Sequence, residues 1–345
     1  MTSAKSKPIT LKDVAQAAGV GTMSASVVLN GASSSTGVSE ATRAKILAAA
    51  QELGYRRNAM ARAMRAGRFG NVALLLSTDE YSSFLPPDLL AGIHDALAAH
   101  DLHLFLVRLP SGELQNADSL PNVLREWMCD GLIVNYNASI SPTIMAALGQ
   151  TRAPVVWLNS EQPRDTVAPD DFDGGRIATE HFLRLGHTRI AFRATRTSHY
   201  SMMTRQRGYC DAMRSAGLTP QIVGHPQFDE FTGGWTELSR WLRETPDAPT
   251  ALVDYHESSA QTGMLALAQA GVAVPKRLSL LTFAPRLSRV GHTPITTCCL
   301  PEAKIGEAAV EMLLEKIENP TRTIPSRALR CQVLPGATDA APSAG

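Results

Sequence analysis

Apolar positions follow two different rhythms along this chain, and the change between them comes near residue 70. Before it, apolar residues recur at spacings of three and four, which is typical of short amphipathic helices. After it, short apolar runs of strand length alternate with helical patterns, which is typical of a parallel, doubly wound α/β sheet. The pattern predicts an all-α N-terminal module followed by a larger α/β body.

The N-terminal module is predicted to hold three helices. Thr10 can cap the first helix, because Asp13 stands at the reciprocal position of a capping box, and Gly19 can supply its left-handed end. The second helix is predicted over about 22–29 and the third over 39–53. Two helices that share an apolar face across a glycine turn are typical of a helix-turn-helix, whose second helix enters the major groove of DNA.

The body is predicted to contain at least seven strands and seven helices. The strands are predicted at 72–77, 102–107, 131–136, 154–159, 189–194, 250–255 and 278–283. The helices are predicted at 89–99, 117–128, 142–148, 174–185, 204–216, 235–243 and 260–270. Ligands of such sheets bind beyond the carboxyl ends of the strands, so we expect a binding site there.

Charge separates the two parts as clearly as hydrophobicity does. The 345 residues carry 33 Lys and Arg against 32 Asp and Glu, but residues 1–68 hold ten basic and three acidic side chains, a net charge of +7. The remainder of the chain is therefore acidic, at −6. This asymmetry indicates a module for a polyanion attached to an acidic body. No apolar run approaches the roughly 20 residues of a membrane span, and the polar start argues against secretion.

The sequence offers no catalytic, metal or cofactor motif. The five cysteines form no metal-binding spacing, and the vicinal pair Cys298 and Cys299 is expected to be two ordinary buried residues rather than a redox sensor. Phosphate-binding glycine loops are absent. We therefore predict a protein that is not an enzyme and has no cofactor and no metal.

Several motifs in order carry a resemblance to a known family. They are TLKDVAQAAGV and VSEATRAKILAAAQELGYRRNAMARAM near the start, then GGRIATEHFLRLGHTRIAF, RQRGYCDAMRSAGL and LALAQAGVAVPKRLSLLTF in the body. With these motifs the chain resembles the lactose-repressor family of bacterial transcription regulators along nearly its whole length. The resemblance implies a helix-turn-helix headpiece, a hinge helix, and a two-lobed, doubly wound α/β effector domain like that of periplasmic binding proteins.

The resemblance also implies domain boundaries. We expect a DNA-binding headpiece at 1–57, a hinge helix and linker at 58–70, an effector-binding and dimerisation domain at 71–339 and a disordered tail at 340–345. Within the effector domain, lobe 1 is expected at about 71–169 and 294–325. Lobe 2 is expected at about 170–293 and 326–339.

The family's DNA contacts map onto two segments. In the headpiece, Thr22 and Met23 would face base edges and Ser24 and Ser26 would bind phosphates, while Val27 replaces the family's usual guanine-reading arginine, which predicts a changed operator base. In the hinge, Met64 would wedge into the minor groove, with arginines adding phosphate contacts. The predicted DNA-contacting residues are Thr10, Thr22, Met23, Ser24, Ser26, Val27, Asn30, Arg56, Arg57, Asn58, Ala61, Arg62, Met64 and Arg65.

The family's effector site maps onto the body less completely. Arg205 stands where an arginine holds effector hydroxyls or a carboxylate, and the other predicted effector-binding residues are Phe84, Asp170, Phe231 and His256. Ala284 and Pro285 replace the family's sugar-binding aspartate. This departure leaves three alternatives open: an anionic ligand such as a uronate or sugar phosphate, a neutral carbohydrate bound in a divergent way, or no small effector.

Taken together, the patterns and the resemblance predict a cytoplasmic homodimer that binds a pseudo-palindromic operator in double-stranded DNA. It would be a repressor whose affinity for DNA is controlled by a small-molecule effector, without any membrane association. The alternative is a solute-binding protein whose DNA-binding head is degenerate. An enzyme on the same fold is a third possibility, which no motif supports.

Overall fold

A computed structural model describes residues 9–30, 37–55, 68–78, 83–110, 129–136, 145–146, 148, 153–195, 199–224, 234–245 and 247–342. The chain divides into two compact units, residues 1–70 and 71–345. We call them the headpiece and the body.

Helices α1 (Leu11–Ala17), α2 (Thr22–Asn30) and α3 (Glu40–Glu52) make up the described headpiece. The predicted capping box is confirmed, since the backbone N and Oγ1 of Thr10 both donate to the Asp13 carboxylate at 2.7 Å. Gly19 follows α1 with φ +66°, a left-handed conformation that glycine adopts without penalty. All three helices bury small and aliphatic residues in one core: Val14, Ala15, Ala25, Val28, Leu29, Ile46, Ala49 and Ala50.

The body contains fourteen strands within the described residues. They are β1 (Asn71–Ser77), β2 (His103–Leu109), β3 (Gly131–Asn135), β4 (Val155–Leu158), β5 (Thr166–Pro169), β6 (Ile190–Arg193), β7 (Gln221–Val223), β8 (Ala251–Asp254), β9 (Ser279–Ala284), β10 (Arg289–Val290), β11 (Thr293–Pro294), β12 (Thr296–Cys299), β13 (Arg327–Leu329) and β14 (Gln332–Leu334). The longer helices are α4 (Pro87–Ala98), α5 (Asp171–Arg184), α6 (Tyr200–Ser215), α7 (Trp235–Glu244), α8 (Glu257–Gln269) and α9 (Glu302–Glu318).

These strands form two six-stranded sheets and a short β10–β11 hairpin. The first sheet has the order β13-β5-β4-β3-β1-β2 and every pairing in it is parallel. The second has the order β14-β12-β9-β8-β6-β7 and is parallel except where β14 runs antiparallel to β12. We call the part of the body around each sheet lobe 1 and lobe 2.

Three helices of lobe 2 begin three or four residues before their predicted starts, at Asp171, Tyr200 and Glu257. Polar residues precede two of them as caps. The Asp170 carboxylate accepts from the backbone N of Asp173 at 3.0 Å, and Nδ1 of His199 accepts from the backbone N of Ser201 at 3.2 Å. Each side chain satisfies an otherwise free helix N–H group. The apolar pattern alone could not show these polar first turns.

In each lobe, two helices cross at a pair of glycines. In lobe 1, a Cβ atom on Gly92 of α4 would lie 2.1 Å from the carbonyl oxygen of Ala303, and one on Gly306 of α9 would lie 2.6 Å from the backbone of α4. In lobe 2, a Cβ atom on Gly175 or Gly208 would lie 2.0 Å from the facing backbone. We call these two contacts the α4–α9 seam and the α5–α6 seam. Glycine is required because the two backbones meet directly.

The structure corrects the predicted lobe boundaries. Residues 296–299 form β12 of lobe 2, whereas they were expected in lobe 1, and residues 327–329 form β13 of lobe 1, whereas they were expected in lobe 2. The crossovers therefore lie near 170, at 300–301 and at 330–331. The reason is long-range pairing: β12 pairs with β9 and β13 with β5, and neither partner can be identified from local hydrophobicity.

The predicted disordered tail begins too early. The backbone N of Ala340 donates to Oγ of Ser279 at 3.1 Å, and its carbonyl oxygen accepts from Nε2 of His187 at 2.8 Å. Just before it, Oγ1 of Thr338 donates to the carbonyl of Leu280 at 2.7 Å. Residues 338–340 are thus held by lobe 2 through side chains that lie far away in sequence.

Candidate functional site

The first candidate site is the exposed side of α2 in the headpiece. Ala25 and Val28 turn into the three-helix core, whereas Thr22 is exposed and Met23 is 72% exposed. The N-terminal turn of α2 therefore presents its side chains to solvent, which is the part of a helix-turn-helix that contacts base edges. Ser24 and Val27 are half-buried beside this turn.

Three other predicted DNA contacts of the headpiece have less direct placements. Ser26 is only 6% exposed and so lies away from the exposed side of α2; its phosphate contact stays a prediction. Thr10 is exposed and its hydroxyl donates to Asp13, so its role is to cap α1. Asn30 is the last residue of α2, as predicted.

The predicted hinge contacts and one predicted effector contact lie outside the described residues. They are Arg56, Arg57, Asn58, Ala61, Arg62, Met64, Arg65 and Phe231. Their roles stay predictions from the sequence.

The second candidate site is the region where the two lobes meet at the carboxyl ends of their strands, which we call the cleft, and Arg205 of α6 lies on its lobe 2 side. Its Nε donates to the Asp171 carboxylate at 2.8 Å and an Nη donates to the carbonyl of Tyr255 at 3.1 Å. The guanidinium also stacks 4.4 Å from the centroid of the Phe283 ring. Burial opposes the charge on Arg205, but Asp171 and Tyr255 favour it more strongly, so the pKa of Arg205 is raised. Sequence reasoning found Arg205 but missed its counter-ion.

Lobe 1 contributes Phe84 to the cleft. The amide Nδ2 of Asn135, at the carboxyl end of β3, donates to the Phe84 carbonyl at 2.8 Å, and Ser83 Oγ donates to the Asn135 carbonyl at 2.6 Å. The Phe84 ring is 55% exposed and meets the His256 ring of lobe 2 edge-on, with centroids 6.3 Å apart. These two predicted residues thus face each other across the lobes.

Two histidines of lobe 2 line the same region in their neutral form. Burial, followed by the charge of Arg205, lowers the pKa of His256 to about 4 and that of His199 to about 3. Nδ1 of His256 hydrogen-bonds to Oγ of Ser258 at 2.8 Å. Of Arg205, His199 and His256, only the arginine is therefore charged near neutral pH.

The three aspartates at the start of α5 have separate roles. Asp170 caps the helix, Asp171 pairs with Arg205, and Asp173 pairs with Arg176 on the surface. Asp170 is thus placed as a structural cap at the crossover, and nothing in its contacts directs it to a ligand. No group of His, Cys, Asp or Glu side chains in the described part of the chain is arranged to hold a metal ion.

The cleft contains two further buried groups that the sequence did not indicate. One is a network in which Arg193 and Ser259 both bind the Asp254 carboxylate, at 3.4 and 3.0 Å. The other is Glu302, the first residue of α9, which is 5% exposed. Its Oε2 atom has no hydrogen-bond partner among the residues that the structure describes.

A separate cavity of about 310 Å³ lies at the opposite, amino end of the lobe 2 strands. Its lining includes Arg189, Lys276 and Arg277. Arg277 donates to the carbonyls of Pro249 and Leu242, at 3.1 and 2.6 Å, so its guanidinium joins loops of the fold. This cavity shares no residue with the cleft described above.

Both the headpiece and the body are similar to known proteins. Residues 10–58 match the bacterial regulatory proteins of the lacI family, and residues 179–338 match the periplasmic binding protein-like domain. The HTH-type transcriptional repressor PurR of Aliivibrio salmonicida (strain LFI1238) is 27% identical over 317 residues, which cover 90% of this chain and 92% of that protein. The ribose operon repressor of Escherichia coli (strain K12) is 28% identical, covering 90% of this chain and 94% of that protein.

A solved structure supports the same fold. The lac repressor dimer bound to operator and the anti-inducer ONPF has a TM-score of 0.81 at 24% identity, over 97% of this chain and 100% of that one. The helix-turn-helix headpiece and the two-lobed body together define the class of this protein as a DNA-binding transcription regulator, and not an enzyme. More particularly, the chain joins a DNA-binding domain that matches the lacI family of bacterial regulatory proteins to a periplasmic binding protein-like domain. No helix of the described residues is long and apolar enough to cross a membrane.

Proposed function

We propose that this chain is a repressor that binds a pseudo-palindromic operator as a homodimer and responds to a small molecule bound between its two lobes. The observation that carries the proposal is the orientation of α2, whose core-facing residues are buried while Met23 is 72% exposed. The charge of +7 over residues 1–68 supports binding to a polyanion. A repressor of this kind works in the cytoplasm, where the chromosome is.

For the effector, we propose a carbohydrate or a related small polar molecule. The relative named as a ribose operon repressor supports this class, and so do the polar groups buried at the cleft. A ligand that contacts both lobes changes the relative stability of the closed and open arrangements of the body. It therefore shifts the affinity for DNA by its differential affinity for the two states.

The DNA-binding part is tested by selecting bound sequences from random duplexes with the purified full-length chain. We expect an enriched pseudo-palindrome, and binding that weakens steeply as salt rises, because neutralised phosphates release counterions. Val27→Arg should change the preferred base at one position of each half-site. A chain that enriched no sequence with or without added ligands would contradict the proposal.

The effector part is tested with Arg205→Ala. We expect this variant to keep operator binding and lose the response to ligand, since its side chain lies in the cleft and not in the headpiece. Retained operator binding is also the control for folding. A variant that still responded fully would place the effector site elsewhere.

A further inference from the structure

Glu302 is a buried carboxylate next to a crossover between the two lobes. It is the first residue of α9 and follows directly on the crossover at 300–301, where the chain passes from lobe 2 to lobe 1. The next residue, Ala303, touches α4 at Gly92, so the start of α9 is fixed against α4. Glu302 is 5% exposed, and its Oε2 atom has no partner among the described residues. A buried acceptor of this kind is unfavourable unless something donates to it.

The charges around Glu302 come from both lobes. Burial raises the pKa of its carboxyl to about 7, Arg205 opposes the shift, and Asp171 and Asp88 add to it. The facing cation is already engaged, because Arg205 binds Asp171 and the Tyr255 carbonyl. Asp88, on α4, pairs with Arg286 of lobe 2 at 3.3 Å. The described groups therefore leave this corner of the cleft neutral to negative.

Two of the other buried atoms that lack partners within the described residues lie near the carboxyl ends of β3 and β6. One is Oδ1 of Asn135, whose Nδ2 is fixed as the donor because it binds the carbonyl of Phe84. The other is Oγ1 of Thr195, just after β6. The Glu302 carboxylate and the Asn135 amide oxygen can each accept a hydrogen bond, and the Thr195 hydroxyl can accept or donate one.

We propose that Glu302 is an effector-binding residue, which accepts a hydrogen bond from a hydroxyl or amino group of an uncharged or cationic polyhydroxy ligand. This inference rests on the proposed function of an effector-controlled repressor and narrows its ligand class. Sugar acids and sugar phosphates are disfavoured, because their anionic group would meet the buried carboxylate of Glu302 while Arg205 is already paired with Asp171. Since Glu302 begins a helix of lobe 1 and Arg205 belongs to lobe 2, one ligand that touches both would join the lobes.

The test is a binding series by calorimetry with the full-length chain and five probes of related shape. They are D-ribose, D-glucose, D-glucosamine, D-glucuronate and D-glucose 6-phosphate. We expect a neutral or amino sugar to bind, and both anions to bind at least about tenfold more weakly. For the tightest probe, Glu302→Leu should lose at least about tenfold in affinity. Glu302→Gln keeps an acceptor oxygen but not the charge, so it should weaken glucosamine more than glucose.

The matched control is Glu307→Gln, an exposed glutamate on the same helix, which should bind every probe like the wild type. Anions binding tightest, no neutral or amino sugar binding, or Glu302→Leu binding like the wild type would each overturn the inference. Release of the selected operator is followed in the same samples. If glucuronate released the DNA, the proposed function would stand and this inference would fail. If no operator were found, the proposed function would fail, and the calorimetry would still decide the role of Glu302.

Discussion

The α4–α9 seam of lobe 1 and the α5–α6 seam of lobe 2 use the same backbone contact with different chemistry at the cleft. Both place a pair of glycines where two helices meet. The α5–α6 seam ends at the cleft in the ion pair of Asp171 with Arg205. The α4–α9 seam ends there in two carboxylates: Asp88, which pairs with Arg286 of lobe 2, and Glu302, whose Oε2 atom has no partner among the described residues. The charged groups of the α5–α6 seam neutralise each other, whereas the Glu302 carboxylate of the α4–α9 seam has no partner within its own seam. A ligand that donates a hydrogen bond can therefore bind at the α4–α9 seam.

The largest expected effect comes from breaking the ion pair at the α5–α6 seam. Asp171→Asn should lower the free energy of unfolding of the body by about 3–5 kcal/mol, because it leaves the buried charge of Arg205 without its carboxylate. The measurement is thermal and urea unfolding. Asp173→Asn, which alters a more exposed pair on the same helix, is the control and should cost under about 1 kcal/mol. Equal losses in both variants would show that burial of the pair does not matter.

A smaller loss is expected at the glycine contacts. Gly92→Ala and Gly208→Ala should each cost about 1–3 kcal/mol or more, because the new Cβ would overlap the facing backbone. Gly174→Ala should cost less, since its Cβ would meet a side-chain sulfur at 3.3 Å. Comparing melting temperatures of the three variants checks this order. If Gly92→Ala left the melting temperature unchanged, the helices of the α4–α9 seam could move apart without a loss of stability.

A gain in stability is expected when the charge of Glu302, at the α4–α9 seam, is removed. Because the pKa of Glu302 is raised to about 7 from an ordinary value of 4.5, the folded chain holds a proton there that the unfolded chain releases. The stability contributed by this carboxyl therefore falls as pH rises from about 4.5 to 7. Glu302→Gln should be more stable than the wild type by about 1–3 kcal/mol at pH 8, with the difference vanishing near pH 4. A pH-independent difference between the two melting curves would contradict the assigned ionisation.

The smallest effect is expected at the exposed pair of Asp88 with Arg286. Arg286 has 68% of its side chain exposed, so Arg286→Ala should change the free energy of unfolding by no more than about 1 kcal/mol. A loss well above this value in chemical denaturation, especially one independent of salt, would mean that the pair contributes to holding the lobes together.

What the sequence predicts well is what local patterns determine. The capping box of Thr10 with Asp13, the end of α2 at Asn30 and the seven strands β1, β2, β3, β4, β6, β8 and β9 all follow from spacing. The early starts of α5, α6 and α8 were missed because their first turns are polar. The short strand β5 was missed because four residues carry too little pattern.

What the sequence cannot give is pairing over long distances. Arg205 was identified by family position, but Asp171 lies 34 residues away and becomes its partner only when α5 and α6 pack. Ser26 was expected to bind a phosphate, yet it is only 6% exposed in the headpiece. Glu302 gave no signal at all, since an acidic residue at a helix start is favourable on its own.

The two edge strands β13 and β14 have a consequence for biosynthesis. Because β13 completes the sheet of lobe 1 and β14 that of lobe 2, neither sheet is whole until residues 327–334 have left the ribosome. The two lobes therefore share a final segment, and neither can complete its sheet before that segment has been made. A nascent chain stalled before residue 327 exposes β5 and β12 as open edges, which are templates for pairing with other chains.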